Sequence, residues 1–254
     1  MDPPERARAA GITDPAARRD FLAGRIALRE FAAGILAVRP GDLETDYSCP
    51  DCGTGPELDH GRPGYRLHQV PAGLGLSLSR SHGWALLAAA PASSAGPAGS
   101  VRPASSARPA GSVRPAGSVR PAGSVRPDGS VRPAGSVRPA GSVRPDGAAV
   151  ITVGVDLEHG SGVLFPGFDD VALTPAERQL LSALAPEQAM QWRTAAWARK
   201  EALLKARGTG LRIEPSSVEA YVEPLDGTIL VDLDTVALGL PQGFAGALAV
   251  VGAD

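Results

Sequence analysis

Lysine is nearly absent from this 254-residue chain, although basic residues are not. Only Lys200 and Lys205 are lysine, whereas the other 23 basic residues are arginine. Both lysines lie in one short segment, WARKEALLKARGTGL (197–211). An ammonium group is a compact charge that can release a proton, which a guanidinium group does not do in proteins. We therefore expect this segment to need a property of lysine that arginine lacks.

The chain also lacks long apolar runs. No uninterrupted run approaches the roughly 20 residues of a membrane span. The most apolar early segment, FLAGRIALREFAAGILAV, is broken by Arg25, Arg29 and Glu30. The start, MDPPERARAA, carries acidic residues and prolines where a signal peptide would have a basic end and an apolar run. We expect a cytoplasmic protein with no membrane partner.

Cysteine is scarce too, with Cys49 and Cys52 in the motif CPDC. This spacing is compatible with a redox pair, with half of a metal site, or with no chemistry. A zinc site would need further ligands, and the neighbouring histidines give C-x2-C-x7-H-x7-H, which misses the usual finger spacing. The surroundings are rich in Pro and Gly, and we interpret the segment as a surface loop. Zinc binding and redox chemistry remain the alternatives.

A six-residue repeat close to VRPAGS fills residues 93–147. A hexapeptide period is compatible with a left-handed β-helix, but each unit offers one valine and carries a proline that cannot donate a ladder hydrogen bond. The small apolar surface cannot offset the entropy of ordering. We predict a disordered linker between two folded blocks, 1–92 and 148–254. The repeat has a net charge of +6 and the rest −8, so a nucleic-acid partner is not expected.

Each block combines helices with antiparallel strands. Apolar residues from Phe21 to Leu36 recur at the helical period, and GLGLSLSRSHGWALLAAA predicts two strands joined by a turn at His82-Gly83. In the second block, ITVGVDLE predicts a strand, TPAE caps a helix from Thr174, and another helix spans about 187–207. Strand-like runs follow at 216–224, 228–234 and 245–252. We predict an α+β fold built twice.

Two patterns in the second block suggest chemistry. Alternation along ITVGVDLE places Asp156 and Glu158 on one face of a strand, where two carboxylates repel each other unless a cation lies between them. Oxygen ligands suit Mg, with Mn as a second choice. On the helix, Glu201 and Lys205 share a stripe with Trp197 at i, i+4, i+8. A solvated strand edge and one surface ion pair are the alternatives without function.

Taken together, these motifs resemble the surfactin-type 4′-phosphopantetheinyl transferases. The signature appears here as GVDLE (154–158) and WARKEALLKARGTGL, with Gly61-Arg62-Pro63 and Gly24, Arg25 and Arg29 in the first block. The resemblance implies two similar α+β subdomains in a pseudo-twofold arrangement. It departs from the family at LSLSRSHGW, where Arg80 stands at the position of the family's phosphate-contacting histidine and His82 follows two residues later.

The resemblance implies Mg-dependent transfer of the 4′-phosphopantetheine arm from CoA to a serine of an apo acyl or peptidyl carrier protein, releasing 3′,5′-ADP. It implies a catalytic role for Glu201 and Lys205 and a metal site at Asp156, Glu158 and Glu201. The implied CoA-binding residues are Arg25, Arg29, Arg62, Ser79, Arg80, Lys200 and Lys205.

The implied site lies in the cleft between the blocks of a monomeric enzyme. The family serves fatty acid, polyketide and nonribosomal peptide synthesis, and the sequence does not select among these carriers. Two other functions stay open: a Mg-dependent hydrolase of CoA or nucleotides, and a non-catalytic CoA-binding protein.

Overall fold

The computed structural model of the protein describes residues 1–91, 120–125, 131–132, 151–221 and 228–252. It is a mixed helix and sheet fold, as predicted. The helices are α1 (Pro3–Gly11), α2 (Pro15–Leu36), α3 (Phe168–Ala172), α4 (Pro175–Ser182) and α5 (Pro186–Arg207). None of the helices in the described ranges is long and apolar enough to cross a membrane.

Twelve strands occur in the described residues. They are β1 (Leu43–Thr45), β2 (Tyr47–Cys49), β3 (Gly53–Gly55), β4 (Tyr65–Leu67), β5 (Val70–Pro71), β6 (Leu74–Ser81), β7 (Trp84–Pro91), β8 (Arg120–Val125), β9 (Val131–Arg132), β10 (Ile151–His159), β11 (Thr228–Leu233) and β12 (Phe244–Gly252). They form sheets in the orders β1-β4-β5, β2-β3, β6-β7-β8-β9 and β10-β12-β11, and all pairs are antiparallel.

The helices predicted from capping and periodicity are confirmed. Thr174 accepts a hydrogen bond from the backbone N–H of Glu177 and completes a capping box at the start of α4. Helix α5 ends at Gly208, whose φ of 73° lies in the left-handed region that favours glycine at this position. The predicted hairpin is also confirmed, because β6 and β7 pair through a turn in which His82 and Gly83 both have positive φ.

Strand β7 carries the contact between the two halves of the chain. Its residues Leu87 and Ala89 pack with α2 and the small sheets of the first half. Leu86 and Ala88, on the opposite face, pack against β10 and β12 of the second half. A strand buried on both faces needs apolar residues throughout, which explains the continuous run WALLAAA. Residues of the first half therefore pack on one face of β7, and residues of the second half pack on the other face.

Helix α5 lies unusually close to β10. A Cβ atom placed on Gly154 would be only 1.9 Å from the carbonyl oxygen of Ala202 and 2.4 Å from the backbone nitrogen of Ala206. Only glycine permits this approach. The close contact brings the stripe of α5 that contains Glu201 next to the face of β10 that contains Asp156.

The structure differs from the predicted strands at residues 216–221 and within the repeat. Residues 216–221, predicted as the start of a strand, instead contain a 3-10 turn at Pro215–Ser217 and irregular chain; there Ala220 donates its N–H to the buried Glu177 rather than to a sheet. Within the repeat, β8 and β9 extend the sheet beyond β7. Backbone pairing along the edge of β7 satisfies its peptide groups there. The remaining repeat residues, and with them most of the predicted disordered linker, lie outside the described residues.

Candidate active site

The carboxylates predicted as metal ligands face α5 in the second half. Val153, Val155 and Leu157 of β10 are buried in the core, as the alternation predicts. Asp156 and Glu158 occupy the alternate positions and therefore share the opposite face of the strand. Asp156 is almost completely buried, whereas Glu158 and Glu201 are half-buried.

Asp156 links the two halves through hydrogen bonds. Its Oδ1 accepts from the hydroxyl of Ser79 on β6 at 2.7 Å and from Lys205 Nζ on α5 at 2.5 Å. Nearby, the backbone N–H of Val155 donates to Ser77 Oγ at 2.9 Å. The second oxygen of Asp156, Oδ2, is buried and has no hydrogen-bond partner among the described residues. An unsatisfied buried carboxylate oxygen is costly and marks a place where a cation or a donor fits.

Glu158 and Glu201 are both harder to ionise than ordinary glutamates. Burial raises the pKa of Glu158 to about 7, and the negative charge of Asp156 adds to this effect. Lys205 and a hydrogen bond from Trp197 oppose it, while Glu201 raises it further. Burial also raises the pKa of Glu201, with Lys205 opposing and Asp156 contributing. The negative charges of the three carboxylates thus repel one another, and Lys205 is the cation that partly offsets this repulsion.

The described residues do not gather these three carboxylates tightly. Three potential metal-ligand atoms lie within 4.8 Å of one another at one place in the described residues, at Cys49, Cys52 and His60. The oxygens of Asp156, Glu158 and Glu201 do not meet this criterion. Lys205 instead occupies the space beside Asp156 and supplies the local positive charge. The donor set itself, three carboxylates with one orphaned oxygen, fits a hard divalent cation such as Mg.

Arg62 joins the first half to the end of α5. Its guanidinium group donates to the carbonyl oxygens of Ala206 at 2.7 Å and Lys205 at 3.3 Å. These carbonyls belong to the last turn of the helix and carry partial negative charge, and that of Lys205 also accepts from the backbone N–H of Gly208 at 3.1 Å. Arg62 therefore caps α5 from across the interface, and burial lowers its pKa.

A cleft of about 730 Å³ lies beside this contact and is lined by both halves of the chain. Arginine and lysine side chains dominate its polar lining, and no Asp or Glu contributes to it. The cationic residues are Arg25, Arg62, Arg80, Lys205, Arg207 and Arg212. A strongly basic cleft in a chain of net negative charge favours an anionic ligand.

Arg25 and Arg80 approach the cleft from α2 and β6. Their guanidinium groups lie 5.1 and 5.8 Å from the ring centroid of Phe21, and Arg25 also donates to the hydroxyl of Tyr47. Burial lowers the pKa of Arg80, and the charge of Arg25 lowers it further. Within the described part of the chain, neither arginine has a carboxylate oxygen within 4.0 Å. In the described residues, therefore, neither arginine forms a contact ion pair, although Asp20 lies near enough to raise the pKa of Arg80 slightly against the other effects.

Arg29 does not belong to the cleft. It is buried and forms ion pairs with Asp2 at 3.0 Å and Glu5 at 3.3 Å, and it donates to the carbonyl oxygen of Leu43. In the structure Arg29 is paired internally and does not line the cleft, and its contact with CoA stays a prediction. One turn of helix separates it from Arg25, but its side chain enters the space between α1 and α2, where two acids satisfy its charge.

Lys200 also lies away from the cleft. It is fully buried, forms an ion pair with Glu177, and donates to the carbonyl oxygens of Ala172 at 2.7 Å and Pro215 at 2.9 Å. The three N–H donors of an ammonium group match these three acceptors. A step of about 100° around α5 separates Lys200 from Glu201 and turns it into the interior. In the structure Lys200 lies in the interior and not at the cleft, and its contact with CoA stays a prediction.

Arg80 and His82, the two candidates for the role of the family's histidine, lie in different surroundings. Arg80 lines the cleft. His82 occupies the hairpin turn, where its ring packs 4.4 Å from that of His159 and its Nε2 is 3.1 Å from Ser161 Oγ. It does not line the cleft. Ser79 is buried behind the cleft and hydrogen-bonds to Asp156 instead of facing open space.

Sequence reasoning missed two cationic residues of the cleft, Arg207 and Arg212. They flank the glycine pair Gly208-Thr209-Gly210 that ends α5. Their position beside a glycine-rich helix end was the available signal. Arg212 also forms an ion pair with Asp51 and so adds a further contact between the halves.

The second half of the chain is similar to a family of known proteins. Residues 152–238 match the model of the 4′-phosphopantetheinyl transferase superfamily. A structure of a holo-(acyl-carrier-protein) synthase from Bacillus anthracis in complex with CoA (3′,5′-ADP) is 20% identical, covers 42% of this chain and 100% of that chain, and has a TM-score of 0.35. Likeness at that level carries no argument about this site. No curated protein matches the chain.

Proposed function

We propose that this protein is a 4′-phosphopantetheinyl transferase. It would transfer the 4′-phosphopantetheine arm of CoA to a serine of an apo acyl or peptidyl carrier protein and release 3′,5′-ADP. One observation carries the proposal: Lys205 both lines a cleft with six cationic residues and pairs with Asp156, the buried carboxylate of β10. The family match over residues 152–238 supports it.

CoA suits the basic cleft because its pyrophosphate and 3′-phosphate carry several negative charges. Arg25 and Arg80, which lack carboxylate partners among the described residues, supply cations from the first half. Arginine binds phosphate oxygens in a bidentate manner, so Arg80 retains the phosphate-binding role of a histidine. Arg62, fixed at the end of α5, places another guanidinium group at the same cleft.

Mg is the metal that best fits the carboxylate cluster. Asp156, Glu158 and Glu201 would hold it, because the buried Oδ2 of Asp156 has no partner in the described part of the chain and burial raises the pKa of both glutamates. Mn would satisfy the same oxygen donors. When bound, the ion would neutralise charge on the pyrophosphate.

Glu201 is the proposed general base. Its raised pKa, caused mainly by burial, makes it a better proton acceptor than an exposed glutamate. The carrier's serine oxygen would attack the phosphorus atom on the pantetheine side of CoA and give its proton to Glu201. The new P–O bond would form as the bond to the bridging oxygen of the pyrophosphate breaks, and 3′,5′-ADP would leave with the bonding electrons.

Lys205 is the proposed partner of the leaving phosphate. It is about one-third exposed, lines the cleft, and lies against Asp156. From this position its ammonium group would neutralise the departing phosphate and supply a proton to it. Arginine would offer the charge but not the proton, which accounts for lysine at this position.

The proposed architecture has two subdomains related by a pseudo-twofold axis, 1–92 and 148–254, joined by the linker 93–147. The repeated combination of a 22-residue helix with a long antiparallel pair supports it: α2 with β6 and β7, and α5 with β10 and β12. We expect a monomer, because the cleft already receives residues from both halves of one chain.

The test is intact-mass spectrometry of an apo carrier protein incubated with this protein, CoA and Mg. A gain of one phosphopantetheine arm, abolished by EDTA, would support the transferase. Degradation of CoA without modification of any carrier would favour the hydrolase. CoA binding with neither outcome, over several carriers, would favour the non-catalytic protein.

A further inference from the structure

The cysteines and a histidine beside the cleft form a second cluster of potential metal ligands. The ligand atoms of Cys49, Cys52 and His60 all lie within 4.8 Å of one another. Both cysteines are free thiols. Cys49 ends β2, Cys52 lies in the turn before β3, and His60 lies in the loop that leads to Arg62.

We propose that Cys49, Cys52 and His60 bind one Zn²⁺ ion. Two thiolates and one imidazole are ligands that zinc prefers. With Zn–S and Zn–N bonds of about 2.3 and 2.0–2.1 Å, ligand atoms around a tetrahedral ion lie roughly 3.5–4 Å apart. The observed spacing, with Cys52 Sγ 3.4 Å from His60 Nε2, is close to this range. Carboxylate ligands, and therefore Mg, play no part here.

The orientation of the His60 ring supports this assignment. Its Nδ1 lies 2.9 Å from the carboxylate oxygen Oδ1 of Asp59. A carboxylate there accepts the Nδ1 proton and leaves the Nε2 lone pair facing Cys52. Metal-binding histidines are commonly held by such a carboxylate on the other ring nitrogen. Asp59 is itself held by Arg8 at 3.3 Å.

The β2-β3 hairpin brings the two cysteines together. Pro50 and the following turn fold the short hairpin back on itself, so that both sulfurs lie near the His60 ring.

The location indicates what the ion would do. Ser48, next to Cys49, exchanges backbone hydrogen bonds with Arg62 at 3.0 and 2.8 Å. Cys49, His60 and Arg62 all line the cleft. An ion joining residues 49–52 to residue 60 would fix the loop that presents Arg62 to the end of α5. With three protein ligands, the fourth position would be taken by water.

The test is the metal content of the full chain, purified under reducing conditions, supplied with Zn²⁺ and passed through gel filtration. We expect about one bound zinc per chain by elemental mass spectrometry, and near-complete loss in Cys52→Ser and His60→Gln. Asp59→Asn should weaken zinc affinity about 10–100-fold. The matched control is His68→Gln, an exposed loop histidine outside the cluster, which should retain zinc.

Substitution with Co²⁺ separates this site from the carboxylate cluster. Cobalt bound by thiolates gives charge-transfer absorption that carboxylate ligands do not give. We expect that absorption in the wild-type chain and in Asp156→Asn, and its loss in Cys52→Ser. Absence of zinc from the reduced wild-type chain would overturn the proposal. So would full zinc retention by His60→Gln, or a Cys49–Cys52 disulfide that forms readily in the presence of excess zinc.

Discussion

Lys205 Nζ lies 2.5 Å from Asp156 Oδ1, across the interface between α5 and β10. Ser79 of the first half hydrogen-bonds to the same oxygen. One carboxylate oxygen therefore receives donors from both halves of the chain, while the other oxygen of Asp156 has no partner within the described ranges. Lys205 donates a hydrogen bond to one oxygen of the buried Asp156, and its ammonium group also lines the basic cleft.

Replacing Glu201 tests the proposed base. Glu201→Gln keeps the size and hydrogen-bonding capacity of the side chain but removes the proton acceptor, so we expect transfer to the carrier to fall about 10²–10⁴-fold with little change in stability. Carrier modification followed by intact-mass spectrometry measures it. Glu187→Gln, an exposed site on the first turn of the same helix, serves as the control. Wild-type turnover in Glu201→Gln would remove the role assigned to this residue.

Arg80 and Arg29 should behave differently, although both are arginines of the first half. Arg80→Ala removes a cation of the cleft, so CoA affinity should fall about 10–100-fold, as loss of a hydrogen bond to a charged group implies. Arg29→Ala should lower the free energy of unfolding instead, because it leaves Asp2 and Glu5 without their partner.

Calorimetric CoA titration and chemical denaturation separate these two effects. Arg39→Ala, an exposed arginine paired only with Asp42, should change neither quantity strongly. If Arg80→Ala leaves CoA affinity intact, the cleft does not bind the coenzyme as proposed.

Lys200 should matter for stability more than any single residue of the cleft. Lys200→Met leaves Glu177 buried without its ion pair, and we expect a loss of about 3–5 kcal/mol in the free energy of unfolding. Urea denaturation measures it. The double substitution Lys200→Met with Glu177→Gln removes the uncompensated charge and should be milder than Lys200→Met alone. Equal losses in the two would show that the buried charge is not the cause.

Gly154→Ala tests the close contact of β10 with α5. The added methyl group would lie 1.9 Å from the carbonyl oxygen of Ala202, so the helix must shift and carry Glu201 and Lys205 away from Asp156. We expect lower stability and a large loss of transfer activity. Gly34→Ala in α2 meets nothing within 4 Å and should be neutral or stabilising by about 0.5–1 kcal/mol. Normal activity in Gly154→Ala would contradict the close packing.

Acid should weaken the contact between α3 and α5. Arg193 donates twice to Asp169 at 2.7 Å, and these hydrogen bonds hold the pKa of Asp169 below its ordinary value of 3.8. A carboxylate with a depressed folded-state pKa stabilises the fold above its unfolded pKa and loses that contribution as pH falls through the folded value. Asp169→Asn should therefore cost about 0.5–1 kcal/mol at neutral pH and almost nothing well below pH 3.8.

Denaturation at several pH values measures the Asp169 effect, and Asp170→Asn is the control. Asp170 is largely exposed and its nearest cation is 3.8 Å away. A constant cost of Asp169→Asn across the acid range would argue against an ionic contribution.

The sequence by itself determined the local structure and the chemistry of the second half. Alternation fixed which face of β10 is core, and the capping residues at Thr174 and Gly208 fixed helix ends, because these features depend on neighbours in the chain. The spacing of Asp156 and Glu158, and of Glu201 and Lys205, placed each pair on one face for the same reason.

Only the tertiary structure decided which charged residues are available to a ligand. Arg25 and Arg29 lie one turn apart on α2, yet one faces the cleft and the other is neutralised by Asp2 and Glu5. Lys200 and Lys205 divide in the same way between the interior and the cleft. The acidic partners of Arg29 and Lys200 are distant in sequence. Burial and ion pairing depend on how the helices pack, which a local sequence pattern does not predict.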